Sequence, residues 1–177
     1  MQSSFRSFAP LSLHTIAIWL LIGLTACSIS YKFNAGTMDY SKVKSISIKD
    51  FPNMATLIHP PLAQRFTEQL REKYNRQTRL EVIRENGTMD LEGEITGYEL
   101  TPLAVREDMF ASQTRLTVTI RVRFTNQVKP EDDFEQSFSA YQEFDSSNPI
   151  ERVVDELCGL IISEIVDQIY NSTVAKW

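Results

Sequence analysis

Leu116-Thr117-Val118-Thr119-Ile120-Arg121-Val122-Arg123-Phe124 alternates without a break. Leu, Val, Ile, Val and Phe fall on one side of an extended chain, and Thr, Thr, Arg and Arg on the other. A period of two over nine residues rich in β-branched and aromatic side chains is a β-strand with one buried face. Burying five such side chains contributes about 7–15 kcal/mol gross, as much as the net stability of a whole domain. The apolar side is therefore the core side, and the Thr/Arg side faces outward. A two-faced strand of this kind favours antiparallel neighbours and a sheet covered on one face only.

The neighbouring segments follow the same logic. Phe134, Phe138, Ala140 and Phe144 continue the inward row on a later strand, with Gln136 and Gln142 interrupting it. A polar turn, Val128 to Asp133, separates the two. Upstream, Leu91 to about Leu100 reads as a strand, with Gly93 and Gly97 placed on one face beside Leu91 and Ile95. Glycine weakens a strand, so two on one face point to close packing there, most simply of helices. Asn86-Gly87 is the strongest short turn signal in the chain, and Leu80 to Ile83 is a short strand-like piece before it. Val43 to Ile48 alternates as the first strand, ended by Phe51-Pro52-Asn53.

Two helices complete the pattern. Pro60-Pro61 opens one in which Leu62, Phe66, Leu70 and Tyr74 recur every four residues, opposite a charged face. The other begins with Asn148 as the expected N-cap, Pro149 as first helical residue and Glu151 as reciprocal cap. Its wide apolar stripe is Ile150, Val153, Val154, Leu157, Leu160, Ile161, Ile165 and Ile169. Charges outside that stripe rule against a membrane span. The expected fold is α+β, with two helices on one face of a small mixed, mainly antiparallel sheet of about four strands, in the order β-α-β-β-β-α.

The start of the chain has a different character. Arg6 is the only charged side chain before the apolar run Ile16 to Gly23, which is shorter than a spanning helix requires. Leu24-Thr25-Ala26-Cys27 follows and looks like a bacterial lipobox. The motif implies that residues 1–26 are a signal peptide, and that Cys27 becomes the acylated first residue of the mature protein. Several acyl chains on one residue hold a soluble domain at a membrane, where a single chain binds only marginally. Residues 27–42 then read as a lipidated tether, and 43–177 as one domain.

Removing residues 1–26 takes away Arg6 and no acid, leaving 17 basic and 23 acidic residues, a charge of −6. That balance argues against nucleic acid as a partner. Only His59 remains of the two histidines, so no zinc site or His relay is expected. No glycine-rich phosphate loop or nucleophile elbow is present. Cys158 lies within an apolar helical stretch and reads as a small buried hydrophobe. Glu92 and Glu94 share the outward side of a strand, but nothing else suggests a catalytic pair. No catalytic residue, metal or cofactor is expected. Arg115, Arg121 and Arg123 share the outward side of their strand with Thr117 and Thr119. Guanidinium groups there suit phosphates, but cross-strand pairing with Glu92, Glu94, Glu135 or Glu143 is the simpler expectation.

With these elements in place the chain resembles the LptE family of lipopolysaccharide-assembly lipoproteins, in its Bacteroidota form. The resemblance rests on Phe51-Pro52-Asn53, Phe66-Thr67-Glu68-Gln69-Leu70, Gly93-Glu94-Ile95-Thr96-Gly97-Tyr98, Arg115-Leu116-Thr117-Val118 and Phe124-Thr125-Asn126. Asp133-Phe134-Glu135-Gln136-Ser137-Phe138 and Ala175-Lys176-Trp177 complete it. It implies a two-helix, mixed-sheet fold and a non-enzymatic lipoprotein on the periplasmic face of the outer membrane. It also implies a partner, an LptD-like β-barrel that the protein helps assemble and plugs, and a part in lipopolysaccharide export. Arg121 and Arg123 are candidate lipopolysaccharide contacts, although no motif of the family maps onto them. The other expectation is a lipoprotein adaptor of a different envelope transport or structural complex.

The lipobox makes a direct prediction. Mass spectrometry of the membrane-extracted protein should find an N-terminal peptide beginning at an acylated Cys27, and Cys27→Ser should leave the chain uncleaved and unacylated.

Overall fold

The computed structural model describes residues 38–103 and 112–174. The expected signal peptide, Cys27, most of the expected tether and Ala175-Lys176-Trp177 lie outside the described residues. The elements are β1 (Ser45–Ile48), α1 (Pro61–Gln77), β2 (Glu81–Ile83), β3 (Met89–Pro102), β4 (Gln113–Asn126), a 3-10 turn (Pro130–Asp132), β5 (Phe134–Asp145) and α2 (Ile150–Thr173). The sheet has five strands in the order β2-β1-β3-β4-β5. β1 runs parallel to both β2 and β3, whereas β3–β4 and β4–β5 are antiparallel. The architecture is the expected α+β one, with the three-residue β2 as a fifth strand.

The alternation of β4 sets the core. Leu116, Val118, Ile120, Val122 and Phe124 are all buried, and both helices turn their apolar rows onto this face. Leu62, Phe66, Leu70 and Tyr74 come from α1; Leu157, Ile161, Ile165 and Ile169 come from α2. The Tyr74 hydroxyl, buried between the helices, hydrogen-bonds to Thr173 Oγ1, and Thr173 Oγ1 donates back to Ile169 O at 3.0 Å. At the N-terminal side, Met38 is buried in the same core and Tyr40 packs against it.

Several local expectations are corrected. The chain bends at Asn86-Gly87, with Asn86 at φ 61°, but makes no hairpin, because β1 lies between the strands it joins. Residues 84–88 cross β1 on its serine side. A Cβ on Gly87 would fall 2.3 Å from the Ser47 nitrogen, so only glycine fits there. Gly87 N donates to Ser47 Oγ (3.2 Å) and Thr88 N to Ser45 Oγ (3.1 Å), which explains a fully buried serine on the face away from the helices. α2 begins at Ile150, with Pro149 in the cap position and no side-chain cap bond. Asn148 instead belongs to a turn closed by Asp145, which accepts from Asn148 N (2.9 Å) and Ser147 N (2.8 Å).

The paired glycines also separate. The β3–β4 register shifts between Ile95 and Gly97, so Thr96 is an extra residue. Beyond it the parity reverses, and Gly97 faces outward against Thr119, while Tyr98 turns inward. What packs on Gly93 is the ring of Phe51, not a helix: a Cβ there would meet Phe51 Cε1 at 2.7 Å and Arg121 O at 2.1 Å. The Phe51 ring stands edge-on to Phe66 at 5.1 Å, and Phe51 N donates to Thr67 Oγ1 at 3.2 Å. Pro52 O accepts from Ile95 N at 2.9 Å.

Gly93→Ala should therefore overpack this junction and lower stability by about 1–3 kcal/mol in urea unfolding. Gly159→Ala, on the exposed side of α2 with nothing within 4 Å of the added carbon, should raise it by about 0.5–1 kcal/mol.

Candidate functional site

Both helices pack on one face of the sheet, and among the described residues no helix covers the other. β4 presents Arg115, Thr117, Thr119, Arg121 and Arg123 on it, as its alternation requires. The flanking registers set Glu92 and Glu135 on either side of Arg123, Glu94 and Ser137 beside Arg121, and Glu143 beside Arg115. Arg123 reaches Glu92 at 3.2 Å and Glu135 at 3.4 Å. Arg121 pairs with Glu94, and Arg115 with Glu143 at 2.6 Å, its guanidinium lying 4.2 Å from the Tyr141 ring centre. The two candidate lipopolysaccharide contacts thus stand side by side on the open face, each held by acids, which is the cross-strand pairing expected of these strands.

A further cation belongs to the same face. Lys49 Nζ lies 2.5 Å from Glu92 and 3.5 Å from Asp90. It shares outward parity with Ser45 and Ser47, a signal present in the sequence. Its role depends on β1 lying parallel beside β3, which local pattern does not reveal. The hydrogen bond from Lys49 holds the Glu92 carboxyl below its ordinary value, and the same contact raises Lys49. Glu92 therefore remains a carboxylate and is unsuited to donate a proton near neutral pH.

The other singled-out groups lie elsewhere. His59, largely buried, stacks on Tyr98 with ring centres 6.2 Å apart, and its Nε2 is 3.8 Å from Asp155 Oδ1. Arg65 holds that carboxylate at 2.8 Å, bridging the helices. Cys158 is fully buried, and burial, with Asp155 adding to it, pushes its thiol up to about 11. A thiol so far from ionisation packs as a hydrophobe. Among the described residues no three His, Cys, Asp or Glu side chains converge as a metal site, and no helix is long and apolar enough to cross a membrane.

Fold and site together define a two-layer α+β domain whose distinctive feature is a polar, ion-paired sheet face. The chain belongs to the LptE family, described as lipopolysaccharide-assembly, whose model matches residues 43–173. Sequence comparison with characterised proteins finds none that matches. Among solved structures, lipoprotein B from Nitrosomonas europaea is similar at 12% identity and TM-score 0.52, covering 76% of this chain and 84% of that one. Rare lipoprotein B from Shewanella oneidensis matches at 9% identity and TM-score 0.47, covering 72% and 88%. A minor lipoprotein from Acinetobacter baumannii matches at 12% identity and TM-score 0.45, covering 73% and 94%. The first of these shows a shared fold.

The Lys49–Glu92 contact has a definite acid signature. A carboxyl lowered by folding adds stability that is present above its unfolded pKa and is lost as pH falls through the folded value. In a carboxyl-carbon NMR titration Glu92 should have a midpoint below that of an ordinary glutamate, and Lys49→Met should move it upward.

Proposed function

We propose that this chain is a lipoprotein of the outer membrane, anchored through acylated Cys27 on the periplasmic face. There it helps assemble and plug an LptD-like β-barrel and takes part in exporting lipopolysaccharide to the outer leaflet, without catalysing a reaction. The family match across residues 43–173 carries this reading. The lipobox at Leu24 to Cys27 supports the anchor. The open sheet face suits a wet lumen, because its Thr, Ser, Arg and Glu side chains satisfy one another across strands and need no apolar partner.

Arg121 and Arg123 are our candidates for the lipopolysaccharide contact. Both are more than half exposed. Exposed ion pairs are worth only about 0–1 kcal/mol, so a bidentate phosphate can displace a carboxylate from them. A second reading, an adaptor subunit of another envelope complex, draws on a different observation: β5 is an edge strand with no described strand on its outer side.

Pull-down of the full-length protein from mildly solubilised membranes separates the two. A stoichiometric LptD-like barrel is expected; a different partner set without it would favour the adaptor. Reversing both charges, Arg121→Glu with Arg123→Glu, should weaken lipopolysaccharide binding about tenfold or more, and unchanged binding would remove these residues from the contact.

A further inference from the structure

Among the described residues the sheet has three open stretches of edge, and two are blunted in the usual ways. β2 is three residues long, and β3 beyond Ile95, where β1 no longer accompanies it, ends in Pro102. The third has no strand beside it among the described residues. β5 runs for twelve residues in continuous register with β4, from Phe134 opposite Phe124 to Asp145 opposite Gln113. It contains no proline, lysine, arginine or bulge.

The ladder alternates, so the main-chain groups of Glu135, Ser137, Ser139, Tyr141 and Glu143 point away from β4. One of them has a stopgap: Gln168 Nε2 donates to Ser139 O, at a long 3.4 Å. That bond places the α2 row Leu160, Glu164, Gln168, spaced by four, along the underside of the edge. Leu160, expected in the core stripe, is 51% exposed on this row. Tyr141 is exposed to the same degree on the other side of the edge.

We propose that the β5 edge takes an extended strand of a partner protein carrying basic side chains on its solvent face, added as a sixth strand of the sheet. Main-chain bonds would supply the pairing, Leu160 and Tyr141 the apolar contacts below and above it. Charge selects the occupant. The outward side chains of β5 are Glu135, Ser137, Ser139, Tyr141, Glu143 and Asp145, acidic toward both ends and nowhere basic; Glu135 and Glu143 already meet Arg123 and Arg115 of β4 in exposed, weak pairs that an incoming cation can share. A second copy of the chain fits badly in the two registers that overlap most of the strand. Antiparallel pairing centred on Ser139 sets Glu135 against Glu143, and centring on Ala140 sets Glu135 against Asp145. A strand with Lys or Arg about eight residues apart meets both ends. This inference stands apart from the barrel partnership and concerns the edge alone.

The test uses full-length protein in detergent and a displayed library of random twelve-residue peptides. Binders should be enriched in Lys or Arg on one alternating face. Ser137→Pro with Tyr141→Pro removes outward N–H groups without touching the β4 ladder, and should weaken the best binder about tenfold or more. Leu160→Ala, which leaves the strand intact, should weaken it about threefold to fivefold and decides the matter if the proline variant fails to fold. No enrichment, or binding indifferent to Leu160→Ala and to a folded proline variant, would overturn the proposal. So would a dimer in analytical ultracentrifugation that the prolines dissolve, since the occupant would then be a second copy. Slow amide exchange at Ser137 and Tyr141 in the isolated protein would show the edge already filled, and would overturn it as well.

Discussion

The two-residue period of β4 is the constraint on which the rest of the molecule depends. Its five apolar side chains can leave water only if strands flank it on both sides and helices cover one face, and they are buried on those terms. The same period sends Arg115, Arg121 and Arg123 to the opposite face. The charged ladder is thus a consequence of the core, and a shift of register by one residue would exchange the two faces.

The junction of β1 with α1 shows how the layers are joined. Phe51 fits over Gly93 because there is no Cβ to displace it, its main chain bonds to Thr67 on α1, and Pro52 continues the pairing with Ile95. At the far end Asn126 Oδ1 accepts from Val128 N and Lys129 N, and Asp133 Oδ1 from Asn126 N, closing the β4–β5 turn. Many residues that carry the family resemblance are therefore anchors of the fold. That accounts for a family pattern without a catalytic signature.

On the open face the acids outnumber the bases. Lys49, Arg115, Arg121 and Arg123 stand among Asp90, Glu92, Glu94, Glu99, Glu135 and Glu143. A phosphate would have to enter by exchange of weak surface pairs, not by filling a ready anion site. At the β5 margin the same excess of acid works the other way, favouring a basic strand over a second copy.

Alternation and spacing along the chain determined the strands, both amphipathic helices, the inward row of β4 and β5, the outward arginines and the acids available to them. Each is a property of local period, which a chain carries whatever its neighbours. Tertiary structure decided what local period cannot express. The insertion of β1 between β2 and β3 depends on a close crossing at Gly87, and the separation of Gly93 from Gly97 on one extra residue at Thr96. Leu160 lies on the apolar side of α2 by sequence, yet among the described residues the sheet ends at β5 and no strand follows to cover it. How far a buried face extends is set by the last strand in the sheet, and strand order is a relation between distant segments.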